Sequence, residues 1–202
     1  MQQSKFTLCR FVSCLSLFTL GLGACGGDDD GNNDNNQQMM TVDRNVYPVA
    51  PYGTEETATL DNLSFKNADA SDFTLNDIYS DESNKLLLVS TSSGWCVSCI
   101  EEQAKLQERY NVWGSKGLYI LLSTFEDAQF QPATPEYAGE WKERYNLTYT
   151  VVADTPFIFQ NYYDKAATPM VMLVDVNTMT ILKIMTGFDE SVVDAIIEAS
   201  LN

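Results

Sequence analysis

Leu86-Leu87-Leu88-Val89-Ser90-Thr91-Ser92-Ser93-Gly94-Trp95-Cys96-Val97-Ser98-Cys99 reads as a strand that runs through a turn into a helix. Leu86 to Val89 is an apolar run of the kind a strand buried on both faces carries. Ser90 to Gly94 is small and polar, and Ile100 to Tyr110 has helical composition, so Cys96 falls at a helix N-terminus. Unpaired amide donors and the positive end of the helix dipole converge there and favour a thiolate, the form that attacks disulfides. Cys99 comes round one helical turn and is placed to resolve a mixed disulfide formed by Cys96.

The other cysteines belong to a different story. The chain has 202 residues and five cysteines, and Cys9 and Cys14 lie in a segment with Lys5 and Arg10, an apolar stretch from Phe11 to Ala24, and then Leu22-Gly23-Ala24-Cys25. That stretch is shorter than the roughly 20 residues a membrane span needs, and it reads as a secretory signal over residues 1–24. Its end resembles a bacterial lipobox. The resemblance implies cleavage before Cys25, lipidation of Cys25 and attachment to a membrane facing the periplasm or cell exterior. The mature chain then keeps Cys96 and Cys99 as its only free pair. Gly26 to Gln38 is polar, rich in Asp and Asn, and unable to bury a core, so residues 25–45 are read as a lipidated Cys and a flexible tether with an r.m.s. reach of ~20–25 Å. The Asp cluster lacks the spacing of a calcium loop and has no distal Glu.

Composition excludes several functions. Removing the signal takes away Lys5 and Arg10 and no acid, which moves the formal charge from −16 to −18. Nucleic acid is therefore not expected as a partner. With no histidine anywhere, Ser-His-Asp and Cys-His catalysis, His-containing zinc sites and a His general base are all excluded. Thiol chemistry, carboxylate chemistry or binding remain, and no cofactor or resident metal enters the reading.

From Val46 onward the chain is the size of one domain with its own core. Strand-like pieces are expected at Ala58–Phe65 and Phe73–Leu75, followed by strand Lys85–Ser90, helix Val97–Val112, strand Leu118–Ser123 and a helix Pro135–Tyr145 capped by Thr134. Strand Tyr149–Ala153, a short helical piece at Phe157–Tyr162, strands Met170–Asp175 and Thr180–Thr186, and a last helix capped by Asp189 complete the pattern. Strands alternating with helices, then a closing hairpin and helix, predict an α/β fold with a mixed sheet and helices on both faces over residues 46–202.

Over residues 58–202 the chain resembles the thioredoxin-fold, membrane-anchored thiol-disulfide oxidoreductases of the TlpA and ResA type. The resemblance rests on Trp95-Cys96-Val97-Ser98-Cys99 after the first core strand, Glu102 three positions past the second Cys, Thr168-Pro169 opening the last hairpin, and Gly187 before the terminal helix. Phe125 to Asn146 corresponds to the helix-containing insert of that family. The resemblance implies that Pro169 is cis and faces the cysteines, that the Thr168 backbone pairs with an extended substrate segment beside Trp95, and that Glu102 takes part in proton transfer when Cys99 attacks. Protein disulfides are the implied substrates and a membrane thiol carrier the implied electron donor. Position alone allows Glu102 to be an exposed acid, with Glu101 and Lys105 as an i,i+4 pair on the adjacent face. In thioredoxin-like proteins a His in this dipeptide goes with an oxidant, so for Val97-Ser98, which has none, the resemblance implies a reductase or isomerase. The chain departs from the family at Ser90, where a buried acid or Asn is usual, at Thr91 and Ser92, where an aromatic pair is common, at Ser98 before the second Cys and at Ala104, both of which replace a proline.

Three other readings involve the same cysteines. A thiol peroxidase needs Pro-x-x-x-Thr-x-x-Cys, and Val89 and Ser93 stand at those places. A metal carrier could use Cys96 and Cys99 as soft ligands, with further ligands from elsewhere, and a degenerate thioredoxin fold kept as a binding module would hold the Cys96–Cys99 disulfide as a merely structural bond. The lipid anchor has a direct test. Cys25→Ala is expected to shift the protein from the membrane to the soluble fraction on cell fractionation; continued membrane association would count against the anchor.

Overall fold

The computed structural model describes residues 43–202. The signal segment, Cys25 and the tether up to residue 42 lie outside the described residues. Among the described residues no helix is long and apolar enough to cross a membrane.

The chain folds as β1 (Ser64–Lys66), β2 (Asp72–Thr74), α1 (Leu75–Tyr79), β3 (Leu86–Ser93), α2 (Val97–Trp113), β4 (Leu118–Glu126), α3 (Pro135–Arg144), β5 (Thr150–Ala153), β6 (Met170–Asp175), β7 (Thr180–Thr186) and α4 (Glu190–Leu201). The strands form one mixed sheet in the order β2-β1-β5-β4-β3-β6-β7. β3 pairs in parallel with β4 and antiparallel with β6, and β4 pairs in parallel with β5. All eight residues of β3 are buried. Residues alternate across a strand, so Leu87 and Val89 join one core with Leu75, Ile78 and Phe159, while Leu86 and Leu88 join the other with Leu106 of α2, Trp141 of α3 and Ile197 of α4. Helices thus cover both faces, three long ones on one side and α1 with a 3-10 turn at Ile158–Asn161 on the other.

The expected strand at Ala58–Phe65 is shorter in the structure. Of those residues only Ser64 and Phe65 fall within β1, and Thr59 makes isolated bridges instead. Leu75 starts a helix rather than ending a strand, because Asp77 closes a capping box: its carboxylate accepts the Thr74 N–H at 2.7 Å. β3 and β4 run three residues further than the apolar runs suggest, since Thr91, Ser92 and Ser93 continue the parallel ladder. The caps at Thr134 and Asp189 are as expected, each side chain accepting N–H groups of its helix. Near the start of the described chain, the buried Arg44 guanidinium donates to the carbonyls of Asp81 and Asn84 and to Asn177 Oδ1, at 2.7–2.8 Å.

The insert contributes both α3 and the route into β5, and it is built into the core. Trp141 is fully buried among Ala138, Leu147 and Tyr149. Trp141→Ala is therefore expected to destabilise the protein by about 3–5 kcal/mol in chemical denaturation, as deletion of a large buried side chain does. A cost below about 1 kcal/mol would show that the insert packs as a detachable appendage.

Candidate active site

β3 ends at Ser93, and the chain turns through Gly94 and Trp95 into α2. Gly94 is needed there for space. A Cβ at that position would lie 2.4 Å from Ala128 N and from the Tyr137 hydroxyl, and 2.7 Å from the Asp127 carbonyl carbon. The cysteine turn is thus wedged against the insert.

Cys96 is the N-cap of α2 and is joined to Cys99 by a disulfide. The Cys99 N–H points at Cys96 Sγ from 3.2 Å, and Ser98 Oγ lies 3.4 Å from the same sulfur. These donors, with the helix N-terminus, are positioned to stabilise charge on Cys96 once the bond is reduced. Cys96 is less open than the first turn of a helix suggests: it is 5% exposed and Cys99 1%. The Thr168 carbonyl of the proline loop lies 3.9 Å from its sulfur, and Cys96 is left as the more accessible of two largely covered sulfurs.

Thr168-Pro169 is cis, and the Thr168 carbonyl oxygen lies 3.9 Å from Cys96 Sγ. β3 itself holds this loop in place, since Thr91 Oγ1 accepts the Met170 N–H at 2.9 Å. Thr91, which stands where an aromatic is common in the TlpA type, thereby ties the proline loop to the strand that carries the cysteines.

Glu102 is buried, 2% exposed, on the α2 face that also carries Cys99, Gln103 and Leu106. Desolvation pushes its carboxyl up to about 7, opposed weakly by nearby Ser90 and by the charge of Lys105. Neither carboxylate oxygen has a hydrogen-bond partner among the described residues, and neither does Ser90 Oγ, so Ser90 is a neighbour and not a ligand of the acid. Lys105 does not pair with Glu101 as expected. It reaches across to Glu190 of α4 at 2.9 Å, because α4 packs beside α2.

Several residues of the site gave no local signal in the sequence. Gln103 Nε2 donates to the Cys99 carbonyl at 2.6 Å, and its Oε1 accepts the Tyr149 hydroxyl at 2.9 Å, which ties the buried cysteine to β5's entry. Glu126, at the end of β4, accepts the Trp95 indole N–H at 2.8 Å and is ion-paired with Lys165, three residues before Thr168. One carboxylate thus links Trp95 to the proline loop. An aromatic row accompanies it: Phe157 stacks on Phe125 at 4.3 Å, Phe125 meets Trp95 edge-on at 6.1 Å, and Phe130 stacks on Trp95 at 5.6 Å. Among the described residues no group of three or more Cys, Asp or Glu is arranged to hold a metal ion.

No protein-family model and no curated protein matches this sequence. Solved structures do. A crystal structure from Chlorobium tepidum described as a thiol:disulfide interchange protein DsbE superposes with a TM-score of 0.60 at 15% identity, covering 74% of this chain and 100% of the other. The thioredoxin domain of a thiol-disulfide oxidoreductase from Bacteroides vulgatus gives 0.56 at 17% identity, covering 72% and 99%. A secreted Mycobacterium tuberculosis disulfide oxidoreductase, described as homologous to E. coli DsbE, gives 0.51 at 12% identity, covering 68% and 96%. The fold expected from the sequence, a thioredoxin-like mixed sheet with a helix-containing insert, is the one observed.

Burial of Glu102 makes stability depend on pH in a defined direction. The unfolded chain ionises this carboxyl around 4.5 and the folded chain at about 7, so between those values the folded state binds more protons. Stability contributed at Glu102 is present below 4.5 and is lost as pH rises through about 7. Glu102→Gln removes that loss, which is at most about 3 kcal/mol. Its melting temperature is expected to gain on wild type between about pH 5 and about pH 8, and a gain independent of pH would contradict the assignment.

Proposed function

We propose that this protein is an extracytoplasmic, lipid-anchored thiol-disulfide oxidoreductase that reduces protein disulfides with the Cys96–Cys99 dithiol. The observation that carries the reading is the arrangement within one turn of α2: a sulfur at the helix N-terminus with slight access, a second sulfur behind it, and a buried acid one turn further on with its carboxyl raised to about 7. The thioredoxin-like fold and its oxidoreductase neighbours support it. The secreted neighbour and the signal and lipobox pattern of residues 1–25 support the location.

In the reduced protein the Cys96 thiolate attacks one sulfur of the substrate disulfide. A bond forms between Cys96 Sγ and that sulfur, and the other substrate sulfur leaves as a thiolate that takes up a proton. Cys99 then gives its proton to ionised Glu102 and attacks Cys96 Sγ. The second substrate thiolate departs, and the protein is left with the disulfide seen in the structure. Two electrons have passed to the substrate. A membrane thiol carrier restores the dithiol by the reverse exchange. Thr168 offers its carbonyl, and Trp95 a wall, to the substrate segment beside Cys96.

Cys99 is nearly inaccessible, which favours the thiol over the thiolate, so its deprotonation is where help matters most. No histidine is present to give it. Glu102 acts as acceptor only when ionised, so the resolving step is expected to accelerate as pH rises through about 7. Glu102→Gln is expected to slow resolution by roughly ten- to a hundredfold and to flatten that profile, as measured by stopped-flow release of substrate thiol. Equal rates and an unchanged profile would remove Glu102 from the mechanism.

The roles of the two sulfurs separate by trapping. Cys99→Ser is expected to accumulate a mixed disulfide through Cys96 with envelope proteins, and Cys96→Ser to accumulate none, on non-reducing gels. The opposite pattern would reverse the roles, and a pair that dithiothreitol does not reduce reversibly would make the disulfide structural.

A further inference from the structure

Phe130 is held where a stable fold has no use for it. Its side chain is 64% exposed, and its backbone has φ of 60°, a left-handed conformation that a bulky side chain disfavours and that Gly or Asn would adopt readily. The loop around it is built to keep it there. Asp127 Oδ1 accepts the N–H groups of Gln129 and Gln131 at 2.8 and 2.9 Å, and the Asp127 N–H donates to the Gln131 carbonyl at 2.8 Å. The ring lies nearly parallel to the Trp95 indole, with 16° between planes. That indole is itself fixed by Glu126 and by the edge of Phe125. Val97, next after Cys96 in the chain, is also exposed, at 68%. An apolar wall therefore stands beside the more accessible sulfur.

The access to that sulfur selects what can use the wall. Cys96 is 5% exposed, so a broad folded surface cannot bring a disulfide onto it. Beside it the Thr168 carbonyl oxygen accepts no backbone N–H among the described residues. A narrow partner that carries N–H donors satisfies both conditions, and an extended polypeptide is such a partner. A small thiol has no contact to make with Phe130.

We propose that Asp127–Gln131 is a substrate-recognition loop, with Phe130 as its specificity-determining residue, and that it takes an extended polypeptide bearing an aromatic or large apolar side chain next to its cysteine. The identity of that residue as a cysteine rests on the oxidoreductase reading above. The flanking side chain packs on the step made by Trp95 and Phe130, and the backbone lies along the Thr168 carbonyl. Stacking of one added ring on such a step tightens binding by about three- to tenfold.

The test uses the full oxidised chain and two short peptides, identical except for Phe or Ser beside a central Ser that replaces cysteine, with affinity measured by calorimetry. The Phe peptide is expected to bind about three- to tenfold tighter than the Ser peptide. Phe130→Asn, which suits the left-handed backbone and removes the ring, is expected to bring the ratio to about one, and Phe130→Trp to preserve it. An unchanged ratio in Phe130→Asn overturns the proposal. So does a wild-type dimer in sedimentation that Phe130→Asn converts to monomer, since the occupant would then be a second copy of this chain. Discrimination between these cysteine-free peptides, with failure of the chain, first reduced by dithiothreitol and freed of it, to reduce the disulfide-bonded versions, would sink the oxidoreductase reading and leave the recognition loop standing. Reduction of both disulfide-bonded versions by that reduced chain, without discrimination, would do the reverse.

Discussion

Strand β3 is the constraint from which the site follows. It lies between β4 and β6 and is buried along its whole length, so its position is set by both cores at once. Its end determines where α2 begins, and Cys96 becomes the cap of that helix because the turn through Gly94 has no room for anything larger. The same strand fixes the opposite wall, through the bond from the Met170 N–H to Thr91 Oγ1. The cysteine turn and the cis proline loop, far apart in sequence, are thus referenced to one rigid element.

Glu102 is the clearest place where the fold carries a cost. It occupies a helix position whose neighbours toward the core are Cys99 and Leu106, and it has no hydrogen-bond partner among the described residues. A buried carboxyl without partners escapes the penalty of an isolated charge by holding its proton, which is what the rise to about 7 expresses. A glutamine or leucine would suit stability better. Violations of this kind concentrate where chemistry needs them, and a carboxyl that exchanges its proton near neutral pH is suited to a thiol that must lose one.

Much of this was legible in the sequence because it is local. The run from Leu86 to Cys99, the capping residues Thr134 and Asp189, and the closing hairpin each carry their signal within a few residues, and the elements formed where those signals stood. The errors have a common cause in tertiary contacts. Cys96 is more covered than its turn position suggests, and the proline loop, distant in sequence, lies against its sulfur. Lys105 abandons its neighbour on the helix for Glu190 on α4. Glu126, Lys165, Gln103, Tyr149 and Phe130 matter through partners that are distant in sequence or, for Phe130, through a backbone conformation that its own residue type argues against. No periodicity or spacing announces such contacts. Leu75 departs from the strand pattern for the opposite reason, since a local capping box at Thr74 and Asp77 outweighs its apolar side chain.

The central claim is that Cys96 and Cys99 interconvert between dithiol and disulfide under the control of a buried acid. A redox titration of the full chain against dithiothreitol buffers, repeated across pH 5–9 around the value of about 7 raised at Glu102, tests it most directly. The account predicts one reversible two-electron transition at a potential above about −300 mV, outside the range of stable structural disulfides. It also predicts a change of slope near pH 7 that Glu102→Gln abolishes, because a carboxyl that takes the Cys99 proton titrates differently beside the thiol than beside the disulfide, where it is raised to about 7. A pair that stays oxidised below that potential, or a wild-type slope identical to that of Glu102→Gln, would contradict it.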